Sequence, residues 1–407
     1  MAEEMRIVLR NMGKIDPLKI EDYINAGGYK SLEKARQMGQ EALIEEVKKS
    51  GLRGRGGAGF NCGMKWSFSY KVQSEQKYVV CNADEGEPGT YKDRTIMEND
   101  PQSVLEGMAI CGYAIGANKG YIYCRGEYPY VVDILNQAIA QAKAKGVLGD
   151  FDIEVRMGAG AYVCGEESAL IESIEGNRGE PRFKPPFPPV IGLWQKPTIV
   201  NNVETFANIP IILEKGADWY KSIGAEKYPG TKVLTLTGDI NNRTVFEVPT
   251  NTTIRQVIYD FGGGIKDGKK FNAVQIGGTS GGFIPESMLD TPIDFDSMTA
   301  IGAVLGSGAV FVMDETRDIV NVVARIAGFF EHESCGKCNP CREGTKRMHE
   351  MMEKLDAGQG SSGDLSLLER LGTVMSKACL CGLGQAAPAP VLTTLKNFNS
   401  EYRAKLN

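Results

Sequence analysis

The sequence lacks long apolar runs and an excess of positive charge. None of its apolar stretches approaches the roughly 18–20 residues that a helix needs to cross a bilayer. The first residues, MAEEMR, are acidic and lack the basic-then-apolar order of a signal peptide. The net charge of −5 does not favour a nucleic acid or an anionic membrane surface as the main partner. We therefore expect a cytoplasmic protein with no direct membrane insertion and no nucleic-acid partner.

Histidine is also scarce, with only His332 and His349 in 407 residues. His349 falls within a predicted amphipathic helix, where a structural role is expected rather than a catalytic one. The composition is otherwise that of an ordinary globular protein, with 42% hydrophobic and 24% charged residues. A chain of this length can bury two or three hydrophobic cores.

Changes in pattern along the chain predict three domains. Strands alternate with helices over 1–225, which is typical of an α/β layered domain with a mainly parallel sheet. A hairpin-like pair of strands at 233–238 and 244–249, followed by a helix and further strands, predicts a small β-grasp domain over 226–318. From 319 to 407 the pattern is almost wholly helical.

Two local elements are predicted near the start of the chain. The apolar run at 7–9 indicates a short strand, and the pattern at 31–50 indicates one helix. Gly51 follows this helix, where a glycine suits the left-handed residue that ends many helices.

Cysteine is concentrated in the last fifth of the chain, which holds five of the ten. Ten cysteines in so large a chain without an export signal do not indicate a disulfide framework. Cys335, Cys338 and Cys341 form a C-x2-C-x2-C loop. Three thiolates on so short a loop can reach three corners of one compact iron–sulfur cubane, so a fourth must come from elsewhere.

The fourth thiolate can return to this loop through a helical hairpin. Apolar residues at helical spacing predict a helix over 342–356, and Asp364 is the predicted N-cap of a second helix of similar length. An antiparallel pair would bring Cys379 or Cys381 beside the first loop. The spacing does not choose between these two cysteines.

Structural zinc is the alternative interpretation of these cysteines, with His332 or a late cysteine completing the set. Zinc sites usually present two separated pairs of ligands. Three cysteines within seven residues, followed by a lone fourth, match that arrangement poorly. An iron–sulfur cluster is therefore the preferred interpretation.

A glycine-dense segment, 54–59, lies in the first domain and is too rich in glycine for a helix or strand. Its small residues and backbone amides, together with the cations Arg55 and Lys65, would let the main chain approach a phosphate or a planar ring. Phe60, Trp66 and Phe68 lie close enough in sequence to stack on such a ring, although aromatic residues near a loop more often belong to the core. The segment is neither a Walker loop nor the usual G-x-G-x-x-G, and a flexible surface loop remains an alternative.

Two acidic segments, 82–88 and 161–168, follow predicted strands or turns of the same domain. A solvated face is the simplest explanation. If they line a site instead, their carboxylates would accept hydrogen bonds from the hydroxyl groups of a ribityl or ribose chain. Phosphates would then have to be met by Lys65, Lys184 and backbone amides.

Five ordered segments together resemble the NADH-binding flavoprotein subunit of respiratory complex I. The same module occurs in NAD-reducing and electron-bifurcating hydrogenases and in NAD-dependent formate dehydrogenases. The resemblance covers about residues 30–390. The segments are GLRGRGGAGF (51–60), NADEGEPGT (82–90), GAGAYVCGEE (158–167), KPPFP (184–188) and ESCGKCNPCREG (333–344).

The resemblance implies a Rossmann-like FMN/NADH domain, a ubiquitin-like β-grasp domain of the SLBB type, and a C-terminal helical bundle holding a [4Fe–4S] cluster. The implied FMN residues are Gly54, Arg55, Gly56, Lys65, Asn82, Asp84, Glu85, Tyr162, Gly165, Glu166, Val200, Asn201 and Asn202. The implied nucleotide residues are Phe60, Phe68, Glu87, Glu167 and Lys184. The family's fourth cluster ligand lies in a C-x-L-G-Q motif, which gives Cys335, Cys338, Cys341 and Cys381 as the ligands here.

The same resemblance implies an NADH dehydrogenase (diaphorase) subunit. NADH would give a hydride to FMN, and electrons would leave singly through the cluster to partner subunits. No side chain is assigned a catalytic role.

The resemblance also bears on the partners. Larger homologues carry a thioredoxin-like [2Fe–2S] domain and a ferredoxin domain that this sequence does not contain. We therefore expect a thioredoxin-like [2Fe–2S] subunit and a larger iron–sulfur or catalytic subunit. The segment 382–391 favours a soluble [FeFe]-hydrogenase or a formate dehydrogenase as the parent complex. The alternatives are respiratory complex I and, in another class, a redox-sensing nucleotide-binding regulator.

Overall fold

Four parallel strands form the first sheet of the computed structural model, which describes residues 3–407. The strands are β1 (Tyr78–Ala83), β2 (Lys119–Cys124), β3 (Asp152–Met157) and β4 (Thr198–Asn202). Their order is β3-β2-β1-β4, so β1 is central and pairs with β2 on one side and β4 on the other. Apolar runs such as 79–81 are fully buried, as expected for a parallel sheet covered on both faces.

Ten helices in the described part of the first 225 residues cover this sheet. They are α1 (Ile20–Asn25), α2 (Lys30–Met38), α3 (Gln40–Lys49), α4 (Cys62–Lys71), α5 (Lys92–Asn99), α6 (Pro101–Ile115), α7 (Pro129–Ala144), α8 (Glu167–Ile174), α9 (Val203–Lys215) and α10 (Ala217–Lys221). Helix α6 is buried almost all round and packs against α9 and β1. Asp100 caps it and Pro101 begins it, a favoured start for a helix.

A second, mixed sheet follows a two-stranded ribbon of β5 (Gly224–Ala225) and β6 (Tyr228–Pro229). Its strands are β7 (Thr231–Gly238), β8 (Thr244–Pro249), β9 (Phe271–Ile276), β10 (Gly282–Ile284) and β11 (Ala309–Asp314), in the order β10-β9-β11-β7-β8. The predicted hairpin is confirmed as the antiparallel pair β7 and β8. A short helix α11 (Ile254–Gln256), continued by a wider turn over Val257–Phe261, and α12 (Phe295–Ala300) complete the predicted β-grasp arrangement.

The C-terminal region is helical, as predicted. Its helices are α13 (Ile319–Glu333), α14 (Asn339–Asp356), α15 (Ser362–Ala378), α16 (Gly382–Ala386), α17 (Ala389–Asn397) and α18 (Asn399–Arg403). Helices α14 and α15 are the predicted pair. The N-cap of α15 is Ser361 rather than Asp364, which lies at the third helical position and completes a reciprocal capping box. None of the helices in residues 3–407 combines the length and apolar character needed to span a membrane.

Two local predictions near the N-terminus are wrong. The predicted helix over 31–50 is two helices, α2 and α3, because Gly39 adopts a positive φ of 79° between them. The predicted strand at 7–9 is a turn. Its backbone N–H groups donate to the buried carboxylate of Glu247 on β8, from Ile7 (2.8 Å), Val8 (3.0 Å) and Leu9 (2.9 Å). Hydrogen bonds to a single carboxylate thus replace the backbone hydrogen bonds to a neighbouring strand that a strand at 7–9 would have needed.

This anchor generates a stability prediction. Replacing Glu247 by alanine leaves three buried N–H groups without their acceptor, and we expect the free energy of unfolding to fall by about 3 kcal/mol. Urea denaturation of the purified chain measures the loss. Glu226→Ala, at an exposed turn between β5 and β6, is the matched control and should change stability by less than about 0.5 kcal/mol. Equal midpoints for the two variants would contradict the anchoring role.

Candidate functional site

The candidate site lies at the carboxyl ends of β1 and β4. The chain leaves β1 towards β2 on one side, and β4 lies on the other, so the strand order reverses between β1 and β4. Such a switch point leaves a crevice in which doubly wound sheets bind ligands. The predicted residues 82–85 follow or end β1 and the predicted residues 200–202 end β4, so the sheet brings these two segments together.

The glycine segment joins α3 to α4 and closes one side of this crevice. Its backbone is fixed by a hydrogen bond from Gly54 N to Phe60 O (2.8 Å). A Cβ at Gly56 would lie 3.0 Å from Cβ of Asn202, so a side chain there would crowd β4. The absence of a side chain at Gly56 therefore lets this segment approach β4 closely.

The side chain of Arg55 points away from the crevice. It is fully buried, and its Nη2 donates to Pro229 O (2.6 Å) and to the Tyr220 hydroxyl (3.0 Å). Its guanidinium also lies over the Tyr228 ring, 4.4 Å from the centroid. Arg55 therefore ties the glycine segment to the β5–β6 ribbon. The sequence had suggested that the loop presents this charge to a ligand, but the guanidinium is turned inward, and the Arg55 backbone N–H donates to Thr205 Oγ1 (2.9 Å).

Lys65 and Lys184 meet around one carboxylate. Glu167 accepts from Lys65 Nζ (2.8 Å) and from Lys184 Nζ (3.2 Å), and Lys65 also donates to Val200 O (2.7 Å). Burial alone would raise the pKa of Glu167, but the two ammonium groups outweigh it and lower the pKa to about 2. The two cations predicted to meet phosphates are thus compensated by an acid, and a phosphate could reach them only by competing with that acid.

Glu166 also pairs with Lys184, one of the two lysines that contact Glu167. One of its oxygens caps α8 by accepting from Ser168 N (2.9 Å) and Ala169 N (3.0 Å), and the other accepts from Lys184 Nζ (2.6 Å). In the acid pair 166–167, Glu166 therefore both caps a helix and pairs with Lys184, whereas Glu167 pairs with Lys65 and Lys184. Helix α8 begins here because the Glu166 carboxylate satisfies its first N–H groups.

The three acids of the segment 82–88 have separate environments. Glu85 caps α5, accepting from Asp93 N (2.8 Å) and Arg94 N (3.1 Å). Glu87 accepts from the Tyr162 hydroxyl (2.7 Å) and from a loop of the second sheet described below. Asp84 is 9% exposed, and its Oδ2 has no hydrogen-bond partner within residues 3–407. A buried acceptor left unpaired costs about 1–3 kcal/mol, so Asp84 is suited to accept a hydrogen bond from a ligand.

The β9–β10 loop holds the Glu87 carboxylate. Thr279 Oγ1 (2.6 Å) and Ser280 N (2.8 Å) donate to one oxygen, and Ser280 Oγ donates to the other (3.1 Å). The resemblance implied that Glu87 contacts the nucleotide, yet the structure gives its carboxylate four donors from the protein. Thr279 and Ser280 are not among the residues predicted from the sequence, although the dense glycines of 277–282 could have indicated a loop that approaches another backbone closely.

Two buried charges fix the end of β4. The Asn202 amide donates to Asp93 Oδ2 (2.7 Å), and its oxygen accepts from Lys92 Nζ (3.0 Å). When the neighbouring Asn201 amide is oriented so that both its oxygen and its nitrogen are hydrogen-bonded, its oxygen accepts from the Trp66 indole (3.0 Å). Lys92 and Asp93 were also missed by sequence reasoning, because a charged pair after a loop looks like solvated surface.

Tyr162 connects the crevice to the cysteine loop. Its ring lies edge-on to Phe329 (5.2 Å between centroids) and Phe330 (6.2 Å) of α13. Its backbone N–H donates to Glu333 Oε2 (2.9 Å), and Glu333 lies two residues before Cys335. Asn82 Nδ2 donates to Gly165 O (2.8 Å), and this hydrogen bond holds the turn 162–165 at the end of β1. The turn 162–165 therefore touches both the crevice and the cysteine loop.

Phe60 and Phe68 are exposed aromatic side chains beside the glycine segment. They are 51% and 45% exposed, and their ring centroids are 6.3 Å apart at an angle of 42°. Large aromatic rings are seldom left in water without a partner, so their free faces suit stacking with a planar ring. The structure leaves these two predicted nucleotide contacts available.

Five thiols gather at the end of α13 and the start of α14. Cys335, Cys338, Cys341, Cys379 and Cys381 all pack in or against one apolar cluster. The α14–α15 hairpin returns the chain as expected, and Leu380 N donates to Cys338 Sγ at 3.5 Å. A Cβ at Gly384 would come within 2.8 Å of Cys379 Sγ, so α16, which follows Cys381, packs closely on the group. The Cys379 thiol contacts the thiols of Cys338 and Cys341, and Cys381 interacts with Cys335, so both late cysteines reach the first loop. Cys381 is selected by the resemblance and not by these contacts.

The residues present fit an iron–sulfur cluster and a flavin. The thiols provide an all-sulfur donor set in apolar surroundings, which suits iron–sulfur chemistry. The crevice provides glycine backbones, an unpaired Asp84 oxygen within the described residues, and two amides at the end of β4. These are the groups that a ribityl chain and an isoalloxazine ring would contact.

Comparisons with known proteins cover nearly the whole chain. The Nuo51 FMN-binding domain matches residues 47–211, and the NADH-ubiquinone oxidoreductase-F iron-sulfur binding region matches residues 321–405. The chain is 50% identical to the NADP-reducing hydrogenase subunit HndC of Solidesulfovibrio fructosivorans, covering 100% of this chain and 84% of that protein. It is 45% identical to an NADH-quinone oxidoreductase subunit of Aquifex aeolicus, covering 98% and 94% respectively.

A solved structure is similar over the same span. The NAD+-reducing [NiFe]-hydrogenase in the H2-reduced state superposes with a TM-score of 0.87 at 37% identity. The match covers 95% of this chain and 66% of the hydrogenase chain. The chain therefore spans about two thirds of that longer protein.

The cysteine group generates a prediction about metal content. Chain purified without oxygen should hold about four irons and little zinc, and Cys338→Ser should lose most of the iron. Cys164→Ser, at a buried cysteine outside the C-terminal group, is the matched control and should keep it. Metal analysis of the three proteins measures this. Zinc as the main metal of the wild type would refute the cluster.

Proposed function

Because the chain belongs to the family of NADH-binding, FMN- and [4Fe–4S]-containing subunits of hydrogenase- and complex I-type oxidoreductases, we propose that FMN binds in the crevice between β1 and β4. In this proposal the cluster is held by Cys335, Cys338, Cys341 and Cys381. The nucleotide enters over Phe60 and Phe68. The match to such subunits along the whole chain supports this placement of the three groups.

The contact of Tyr162 with Glu333 and with the α13 aromatics carries the proposal. It joins the predicted flavin segment to the residue two positions before Cys335. Electron transfer needs its donor and acceptor close together and rigidly held. A direct hydrogen bond between the two segments keeps them adjacent, which supports this arrangement.

FMN, when bound, exchanges a hydride with NAD(H) and passes electrons singly to the cluster. The chain's own residues bind the flavin and the nucleotide and orient them. The 54–59 backbone and the amides of Asn201 and Asn202 bound the crevice, and the loop 277–282 closes over Glu87. Phe60 and Phe68 stack on the nucleotide. No side chain is given a proton to transfer.

A soluble multi-subunit hydrogenase or formate dehydrogenase in the cytoplasm is the proposed parent complex. The similarity to HndC and to an NAD+-reducing hydrogenase structure supports this choice, while the similarity to NADH-quinone oxidoreductase subunits keeps complex I as the alternative. The proposed partners are a thioredoxin-like [2Fe–2S] subunit and a larger iron–sulfur catalytic subunit. Affinity purification from the native cell distinguishes the alternatives by which catalytic or membrane subunit co-purifies.

The redox assignment can be tested on the isolated chain. We expect non-covalent FMN, released intact by heat, and loss of its absorbance near ~450 nm when NADH is added without oxygen. The redox-sensing alternative predicts nucleotide binding without catalytic turnover of an artificial acceptor. Flavin that stays oxidised under excess NADH would refute the dehydrogenase assignment.

NADPH is the second candidate substrate, because the 50% identical HndC is named as NADP-reducing. Glu167 compensates Lys65 and Lys184 in this structure. Its carboxylate would repel a 2′-phosphate, by some 2–3 kcal/mol before screening at about 6 Å and an effective dielectric near 20. Removing this charge would also leave two lysines free to attract the phosphate.

We therefore expect Glu167→Gln to raise kcat/KM for NADPH relative to NADH several-fold. The flavin content should stay the same, because the amide keeps the shape of the side chain, its oxygen can still accept from one lysine, and Lys65 keeps its bond to Val200 O. Glu154→Gln on the outer strand β3 is the matched control and should leave the ratio unchanged. Steady-state kinetics with both nucleotides measure the ratio. An unaltered ratio in Glu167→Gln would mean that the nucleotide lies elsewhere.

A further inference from the structure

Arg125 lies beside Asp84 at the end of the first sheet. Asp84 follows β1 and Arg125 follows β2, and the last residues of these strands, Ala83 and Cys124, are paired in parallel register. The two side chains are therefore neighbours across the carboxyl edge of the sheet, with Arg125 Nη1 3.9 Å from Asp84 Oδ1. Arg125 is 8% exposed, as deeply buried as Asp84.

The guanidinium of Arg125 is oriented by one carboxylate and directed at another. Glu127 accepts from Nε (2.6 Å) and from Nη2 (2.9 Å) in a two-pronged contact. This contact fixes the plane of the guanidinium and leaves Nη1 facing Asp84. Among the described residues, neither Nη1 nor Asp84 Oδ2 has a hydrogen-bond partner.

The surrounding backbone leaves space for these two groups. A Cβ at Gly86 would lie only 2.4 Å from Arg125 Nη1, so a side chain there would displace the guanidinium. A Cβ at Gly165 would lie 3.8 Å from Asp84 Oδ2. An unpaired acceptor and an unpaired donor, both over nine-tenths buried and flanked by two glycines, indicate a ligand that supplies the missing hydrogen bonds.

We propose that Arg125 is a positioning residue of the flavin site, which keeps Asp84 as a carboxylate so that its Oδ2 accepts hydrogen bonds from the ribityl hydroxyls. This inference rests on the proposed placement of FMN between β1 and β4. A carboxylate is an acceptor at both oxygens, whereas a carboxylic acid would present one donor to those hydroxyls. Arg125 contributes through Asp84 and need not touch the flavin.

The charges around Asp84 explain why a cation is needed there. Burial raises the pKa of Asp84, and Glu127 and Glu333 add to the rise. Arg125 opposes all three, and with Arg125 in place the pKa is about 7. The other ionisable groups that face it are the thiols of Cys124 and Cys164 and the phenol of Tyr123, which carry no positive charge. Arg125 is thus the cation that favours the ionised form among the groups acting on Asp84.

The test measures the binding of riboflavin and of FMN to the flavin-free full chain by fluorescence quenching from pH 6 to 9. Riboflavin carries the ribityl hydroxyls without the phosphate, so the titration of the phosphate does not enter. Loss of a close opposite charge moves a carboxyl pKa by about one to three units. We therefore expect Arg125→Met to raise the Kd for riboflavin about tenfold or more at pH 7, with recovery towards pH 9, where Asp84 ionises again.

Variants separate this role from a structural one. Arg125→Lys keeps the charge and should recover most of the affinity. Asp84→Asn should weaken both flavins at every pH, and Arg125→Met should add nothing to it. Arg156→Met on β3, an exposed arginine paired with Glu154, is the matched control and should match the wild type. Thermal unfolding of each flavin-free variant records any loss of fold.

Two results overturn the inference. One is an Arg125→Met variant with wild-type affinity and pH profile. The other is a loss that is constant with pH and that Arg125→Lys shares, which would mean that Arg125 only supports the fold. If Asp84→Asn binds both flavins normally, the proposed placement of FMN itself is wrong. Failure of the inference and failure of the placement are thereby distinguished.

Discussion

A fully buried ion cluster joins the first sheet to the second, and the loops of the site depend on it. Glu204, on α9, accepts from Lys232 Nζ of β7 (2.6 Å) and Val233 N (2.9 Å), and Lys92 Nζ of α5 lies 3.0 Å from the same carboxylate. Burial would raise the pKa of Glu204, but the two lysines and Arg55 lower it. Removing one partner from such a cluster would leave an uncompensated charge and cost about 3–5 kcal/mol.

The cluster matters for function because its members also hold the crevice. Lys92 and Asp93 fix Asn202. Lys232 Nζ donates to the backbone oxygen of Ser307 (3.2 Å), and the Ser307 hydroxyl is hydrogen-bonded to the Thr90 hydroxyl (2.8 Å). The acidic segment and the residues just after it are thus held by contacts from both sheets. The β9–β10 loop of the second sheet adds its hydrogen bonds to Glu87. A crevice walled by two rigidly joined sheets can orient a cofactor without catalytic side chains of its own.

Most of the charged side chains around the site already have partners within the protein. Lys65 and Lys184 are paired with Glu167, Arg55 is buried among tyrosines, and the Glu85 carboxylate caps a helix. Asp84 differs, since its Oδ2 is unpaired within residues 3–407. An anion that approached Lys65 or Lys184 would therefore have to compete with the Glu167 carboxylate.

The sequence by itself determined the helical C-terminal region, its helical hairpin and the cysteine loop, because each depends on local periodicity or on spacing within a few residues. The resemblance supplied the flavin and nucleotide residues, whose segments are far apart in the chain. The tertiary structure alone decided which way each charge faces: Arg55 inward, Glu87 towards Ser280, and Arg125 towards Asp84. It also showed a turn at 7–9, since the Glu247 carboxylate that holds it lies about 240 residues away. Orientation of a charged side chain depends on partners from distant segments, and no local pattern encodes those partners.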